Sequence, residues 1–147
     1  MKTDPDDFAV GDFARHPKKT TAWTGVRNFQ ARNYMQEMAR GDLALLYHSS
    51  CPEPGIVGVM SIASARAYAD PTQFDQASKY HEPAATPEKP RWFLVDVKLE
   101  RKTKLVPLEA LRAVPALAEM MILRKGNRLS VTPVTDKEWK ALEKILK

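Results

Sequence analysis

Cysteine is nearly absent from this chain: Cys51 is the only one. An internal disulfide is excluded, and nothing argues for an oxidising compartment. Histidine is scarce too. His16, His48 and His81, taken with Cys51, show no metal-ligand spacing, so no metal site is expected. No apolar run approaches the ~18 residues that span a bilayer. The opening segment Met1 to Asp7 is acidic and lacks the apolar core of a secretory signal. Glycine is sparse and forms no glycine-rich phosphate loop. These absences predict a cytoplasmic protein with no membrane partner and no bound cofactor.

At 147 residues, 44% of them hydrophobic, the chain has the size and composition of a single domain, residues 1–147, with one core. Lys and Arg number 23 against 18 Asp and Glu, giving a net charge of +5 and a pI of about 9.4. That balance raises encounter rates with polyanions and adds a salt-dependent affinity term, without proving a nucleic-acid partner.

The most informative stretch runs from Thr21 to Met35. It gathers aromatic rings, two arginines, two asparagines and a glutamine. A ring can stack on a flat polar molecule, amides can read its edge, and guanidiniums can meet phosphate. The stretch holds no acid, thiol or imidazole, so it suits holding a base better than breaking a bond.

Along the chain, Asn28 is placed to cap a helix reaching about Ala39, with Ala31, Tyr34, Met35 and Met38 on its buried face. Leu43 to Tyr47 and Gly55 to Ala63 read as strands, separated by a turn-rich loop. Asp70 to Pro90 contains Pro71, Pro83, Pro87 and Pro90, which argues against regular structure over most of it. Phe74 and Tyr80 could anchor that segment, which favours an ordered lid. Trp92 to Leu99 alternates, with Phe93, Val95, Val97 and Leu99 on one face and Trp92, Leu94, Asp96 and Lys98 on the other. Arg101 to Lys104 reads as a basic turn. Leu108 to Ala113 and Pro115 to Met121 read as short helices, and Leu129 to Val134 as a strand. Thr135 and Glu138 make a capping-box signature for a last helix with Trp139, Leu142, Ile145 and Leu146 on its apolar face. Short strands with inserted helices predict an α+β small barrel rather than a doubly wound sheet.

Six blocks then occur in a telling order: Trp23 to Asn33 (WTGVRNFQARN), Leu46 to Ser49 (LYHS), Pro54 to Gly58 (PGIVG), Asp70 to Asp75 (DPTQFD), Pro90 to Asp96 (PRWFLVD) and Arg124 to Val134 (RKGNRLSVTPV). By these blocks the chain resembles the EVE domain family of the PUA-like superfamily, which is similar to the YTH domain. The resemblance implies a mixed β pseudo-barrel decorated by short helices. It also implies a pocket for a nucleobase, with modified cytosine in DNA or a modified base in RNA as the ligand, and no catalytic activity. The family usually begins with a further apolar strand ahead of the segment matching Met1 to Pro5. A shortened first strand would leave an unpaired sheet edge.

On this reading the nucleobase-binding candidates are Trp23, Thr24, Asn28, Tyr47, Ser49, Tyr80, Trp92 and Asp96. Trp23 would stack as a cage wall, although it could equally cover the barrel end. Thr24, Asn28, Ser49 and Asp96 would read the base edge, while Asn28 could serve only as a helix cap. Tyr80, and with it Tyr47, would complete the aromatic lining; Trp92 would line the pocket or pack beneath the lid. The phosphate-binding candidates are Arg27, Arg32, Arg124, Lys125 and Arg128. The competing reading places a nucleophile and base at Cys51 and His48, acting on a modified nucleotide or small ligand. No orienting acid accompanies that pair. A monomer is expected.

Overall fold

The computed structural model describes residues 1–147. In chain order its elements are β1 (Lys2–Thr3), β2 (Thr20–Ala22), α1 (Phe29–Gln36), β3 (Leu43–His48), β4 (Gly55–Ile62), β5 (Tyr68–Ala69), β6 (Phe93–Leu94), β7 (Asp96–Pro107), α2 (Leu108–Arg112) and α3 (Asp136–Glu143). Five strands form one sheet in the order β1-β3-β4-β7-β2, and β5 pairs with β6 in a separate ribbon. Only β1 with β3 is parallel. The curled mixed sheet with its short helices is the α+β pseudo-barrel that the resemblance implied. No helix is long and apolar enough to cross a membrane.

The central strands are buried on both faces, which explains why β4 reads as a nearly continuous apolar run. Val57, Met60 and Ile62 join one cluster with Phe13, Trp23, Met35, Leu46, Val95 and Val97. Ile56 and Val59 join a second with Leu45, Tyr47, Leu111, Leu117 and Leu142. Register shifts at Ile56/Gly58 and Val59/Met60 bend the ladder between them.

Local chemistry accounts for the helix limits. The Asn28 side chain accepts from the Gln30 and Ala31 N–H groups at 2.8 and 3.1 Å, opening α1. The helix closes at Gln36, three residues before Ala39. Glu37 and Met38 donate to Tyr34 and Met35, and the Asp42 carboxylate takes the Ala39 N–H at 2.9 Å. The capping box of α3 forms as expected, with Glu138 N–H on Thr135 Oγ1 and Thr135 N–H on Glu138 Oε1.

Three expectations are corrected. Arg101 to Lys104 is not a turn: β7 runs straight through it, because Arg101 and Lys102 continue the ladder opposite Val59 and Gly58. Their charged side chains stay exposed, and Thr103 alone turns inward. Leu129 to Val134 forms no strand. Asn127 Oδ1 takes the Leu129 N–H and the Ser130 carbonyl is used by Lys2 N–H at 2.7 Å. Finally, the alternation over Trp92 to Leu99 breaks between β6 and β7, so Trp92 and Leu94 are buried as fully as Val95 and Val97. At the other end, β1 covers β3 only near Tyr47 and His48, extended by the Met1 amine bonded to the Leu45 carbonyl at 2.8 Å. Leu43, at the open start of β3, is exposed.

Candidate nucleic-acid interface

The two main cavities of the fold are of similar size, and their chemistry separates them. One, of about 470 Å³, has 14 hydrophobic residues among 19, and its only charged lining groups are Glu37, Asp42 and Asp136. An acidic rim opposes a polyanion. The other, of about 430 Å³, is bordered by Trp23, Thr24, Gly25, Tyr80, Lys2 and Lys79, among others. It has the volume of a small-ligand site and combines aromatic walls with two lysines, set beside Asp4 and Asp7.

A network behind this second cavity fixes one wall. Asp70 is fully buried. Its Oδ2 accepts from Gly25 N–H at 2.9 Å and Arg27 Nη1 at 3.1 Å, and its Oδ1 from Thr72 N–H and Oγ1 at 2.8 and 2.6 Å. Arg27 also donates to the Val26 carbonyl, Thr72 Oγ1 and, twice, the Tyr80 carbonyl. All five of its N–H donors are thereby engaged. Gln73, also fully buried, binds the carbonyls of Asp70 and Trp92 and takes the N–H groups of Arg91 and Trp92. These bonds order the proline-rich segment as a lid, with regular structure only in a 3-10 turn at Pro71–Phe74.

The lid brings Tyr80 down onto Gly25. A Cβ built on Gly25 would lie 2.5 Å from Tyr80 Cζ, and the residue has φ of +85°, so glycine is required twice over. From Tyr80 a stack of cations and rings runs to the surface. Arg27 lies 5.3 Å from the Tyr80 ring and 5.5 Å from the Trp92 ring; Phe29 stacks on Trp92 at 4.8 Å, and Arg32 covers Phe29 at 4.8 Å. Lys79 sits 5.1 Å from the other end, over Tyr80. Such contacts stiffen the wall against which a flat ligand would lie.

Burial pushes the Asp70 carboxyl up, but the hydrogen bonds from Thr72, Gly25 and Arg27 outweigh it and hold the group below the ordinary carboxylate range. Because the folded value is the lower one, this contribution is complete above the ordinary value of about 3.9. It is lost as pH falls through the folded value. An Asp70→Asn variant is therefore expected to melt below the parent at neutral pH, and the gap to close as acidification passes below the ordinary carboxylate range. Thermal melts across pH check this; a gap that stays constant would show that the charge of Asp70 contributes nothing.

Of the residues selected from sequence, the structure brings Trp23, Thr24 and Tyr80 to this cavity. Asn28 caps α1, and Arg32 bonds the Arg91 carbonyl and Asn33. Tyr47 borders the acidic-rimmed cavity instead, since it faces the second core cluster. Ser49 bonds the Thr3 carbonyl through its N–H. Trp92 is sandwiched in the cation–ring stack, and Asp96 accepts from Tyr68 Oη at 2.6 Å, which together with burial raises the Tyr68 pKa. Arg124, Lys125 and Arg128 are exposed on the loop tied to β1 through Lys2 Nζ on the Asn127 carbonyl and Lys2 N–H on Ser130. Lys2 and Ser130 both border the cavity, whereas none of those three cations lines it. His48 Nε2 accepts from Val10 N–H at 3.1 Å and makes no hydrogen bond to Cys51.

Sequence reasoning missed Asp4, His16, Thr21, Lys79 and Ser130, which also border the cavity. Asp4 stands in the family-matched Met1 to Pro5 segment, Thr21 opens the Thr21 to Met35 stretch and Ser130 lies in the Arg124 to Val134 block, whereas His16 and Lys79 carry no local signal.

The comparisons agree with this architecture. Human thymocyte nuclear protein 1 is 37% identical over 156 residues, covering 95% of this chain and 69% of that protein. A Pseudomonas syringae protein of known crystal structure is 42% identical, with a TM-score of 0.92 over 99% of this chain and 96% of its own. The crystal structure of human THYN1 protein in complex with 5-methylcytosine-containing DNA is 35% identical, with a TM-score of 0.91, covering 99% and 94% of the two chains. A family model, the EVE domain, matches residues 1–145. The chain belongs to the EVE domain family.

Proposed function

We propose that this chain is a non-enzymatic reader of nucleic acid that takes one modified base, 5-methylcytosine in DNA, out of its stack into the cavity beside Trp23. The observation that carries the reading is the fold shared over 99% of the chain with a human protein seen on 5-methylcytosine-containing DNA. The cavity's own chemistry supports it. Trp23 and Tyr80 supply rings, Thr24 and Thr21 supply hydroxyls for a base edge, and Lys2 and Lys79 offset phosphate charge. Arg124, Lys125 and Arg128 hold the flanking backbone. Arg27 has a different role: with its donors engaged, it positions Tyr80 rather than gripping phosphate. Binding without turnover is favoured because His48, the only imidazole near Cys51 in sequence, is committed to the Val10 backbone. The protein acts as a cytoplasmic monomer.

Trp23→Ala is expected to weaken binding to a 5-methylcytosine oligonucleotide by roughly 5- to 150-fold, the worth of one base–ring stack. Trp23→Phe, which keeps a ring, is expected to retain most of the affinity. Fluorescence anisotropy of a labelled oligonucleotide measures both, with a parallel RNA series to name the polymer. Because Trp23 also packs in the core, folding is checked by circular dichroism. Unchanged affinity in a folded Trp23→Ala protein would remove the stacking role.

A further inference from the structure

Thymine carries the same 5-methyl group as 5-methylcytosine. The two differ only along one edge: an oxygen instead of an amino group at position 4, and a proton on N3. A cavity that selects by shape accepts both, and DNA is full of thymine. A reader of methylated cytosine must separate them by polar contact.

The geometry points to Asp4 as the residue that makes this distinction, an inference resting on the base-reading function proposed above. Asp4 borders the cavity together with Trp23, Thr24 and Tyr80. Its position is fixed by the turn that follows β1. The Asp4 carbonyl accepts from the N–H groups of Asp7 and Phe8 at 2.9 and 3.0 Å, and its Oδ1 from Asp6 N–H at 2.9 Å. Its Oδ2 has no hydrogen-bond partner in the protein, and Asp4 takes part in no ion pair. The other carboxylate on the cavity, Asp7, is paired with Lys79 at 3.4 Å. Asp4 is thus the acid left available to a ligand.

An unpaired carboxylate beside a polyanion is unfavourable unless it makes a specific contact. An ionised carboxylate accepts and never donates. Facing position 4 of a pyrimidine, it bonds the cytosine amino group and repels the thymine oxygen; acidic side chains pair with that amino group in other protein–DNA contacts. The contact leaves the 5-methyl group to the rings. In this division of labour the aromatic walls hold the base, and Asp4 admits only one that donates from position 4.

The test uses oligonucleotides identical except at one position, which carries cytosine, 5-methylcytosine, thymine or 5-methylpyrimidin-2-one, an analogue lacking the 4-amino group. Affinities are compared for the unaltered protein, Asp4→Asn and Asp4→Glu. The unaltered protein is expected to favour 5-methylcytosine over thymine by roughly 10- to 100-fold, with the analogue between them. Asp4→Asn can turn its amide to suit either base, so the preference should fall to about threefold or less. Asp4→Glu keeps the acceptor and should keep the direction of preference. A preference undiminished in Asp4→Asn, or in Asp4→Ala should the amide variant fail to fold, overturns the assignment while leaving the reader function in place. An analogue bound as tightly as 5-methylcytosine does the same without any variant. If the unaltered protein binds cytosine, 5-methylcytosine and thymine alike, the base-reading function itself fails, and Asp4 with it.

Discussion

Arg27→Ala is expected to destabilise the protein by about 3–5 kcal/mol, the cost of leaving a buried charge without its partner. The partner is Asp70, which has no solvent exposure of its own and keeps only Thr72 and Gly25 once the guanidinium is gone. The same substitution frees the Tyr80 carbonyl, which Arg27 holds through Nε at 3.2 Å and Nη2 at 2.8 Å. The lid should loosen ahead of global unfolding, so limited proteolysis within residues 75–91 is expected to accelerate even where urea melts still show a folded core. Arg27→Lys is not a rescue: a point charge with three donors cannot replace a fork that engages five. Combining Arg27→Ala with Asp70→Asn should recover part of the loss, because a buried amide needs less compensation than a buried carboxylate. A cost below about 1 kcal/mol in urea denaturation would instead class Arg27 with ordinary surface ion pairs.

Gly25→Ala is expected to damage binding more than stability. An alanine at φ of +85° is strained by about 1–2 kcal/mol. That alone would leave a folded protein. The methyl group, however, would lie 2.5 to 2.8 Å from three ring atoms of Tyr80, closer than real Cβ contacts. Tyr80 must move, and the wall of the cavity moves with it. Affinity for a 5-methylcytosine oligonucleotide should fall by about the 1–3 kcal/mol that a stacked base is worth. Anisotropy titration beside a thermal melt separates the two effects. Full affinity in a folded Gly25→Ala protein would mean that the Tyr80 position is irrelevant to the ligand.

The features legible in the sequence were those written locally. Asn28 before a helix, Thr135 with Glu138, and the apolar runs of β3 and β4 each announce themselves within a few residues. Trp23 and Thr24 became candidates through the family blocks and the clustering of residue types, Tyr80 through the likeness to the YTH cage, and the three do meet at one cavity. What stayed hidden depends on contacts between distant parts of the chain. Arg27 reads as a phosphate grip until Asp70, far downstream in sequence, closes on it. Asp4 and Ser130 reach the cavity only because β1 lies against the loop ending at Ser130, a pairing no periodicity encodes. Tyr47 was misleading for another reason. A strand buried on both faces offers no polar side to show which way its tyrosine turns, and it faces the second core cluster. Charge misled at Arg101 to Lys104, where ladder bonds to β4 outweigh the turn-like composition.

The most direct measurement is a titration of intrinsic tryptophan fluorescence with matched oligonucleotides carrying cytosine or 5-methylcytosine at one position, at low and high salt. A base held at Trp23 predicts quenching and tighter binding to the methylated form, with a preference that persists as salt weakens both complexes. Equal, weak binding to both, fading together with salt, would contradict it and leave only a basic surface attracted to phosphate.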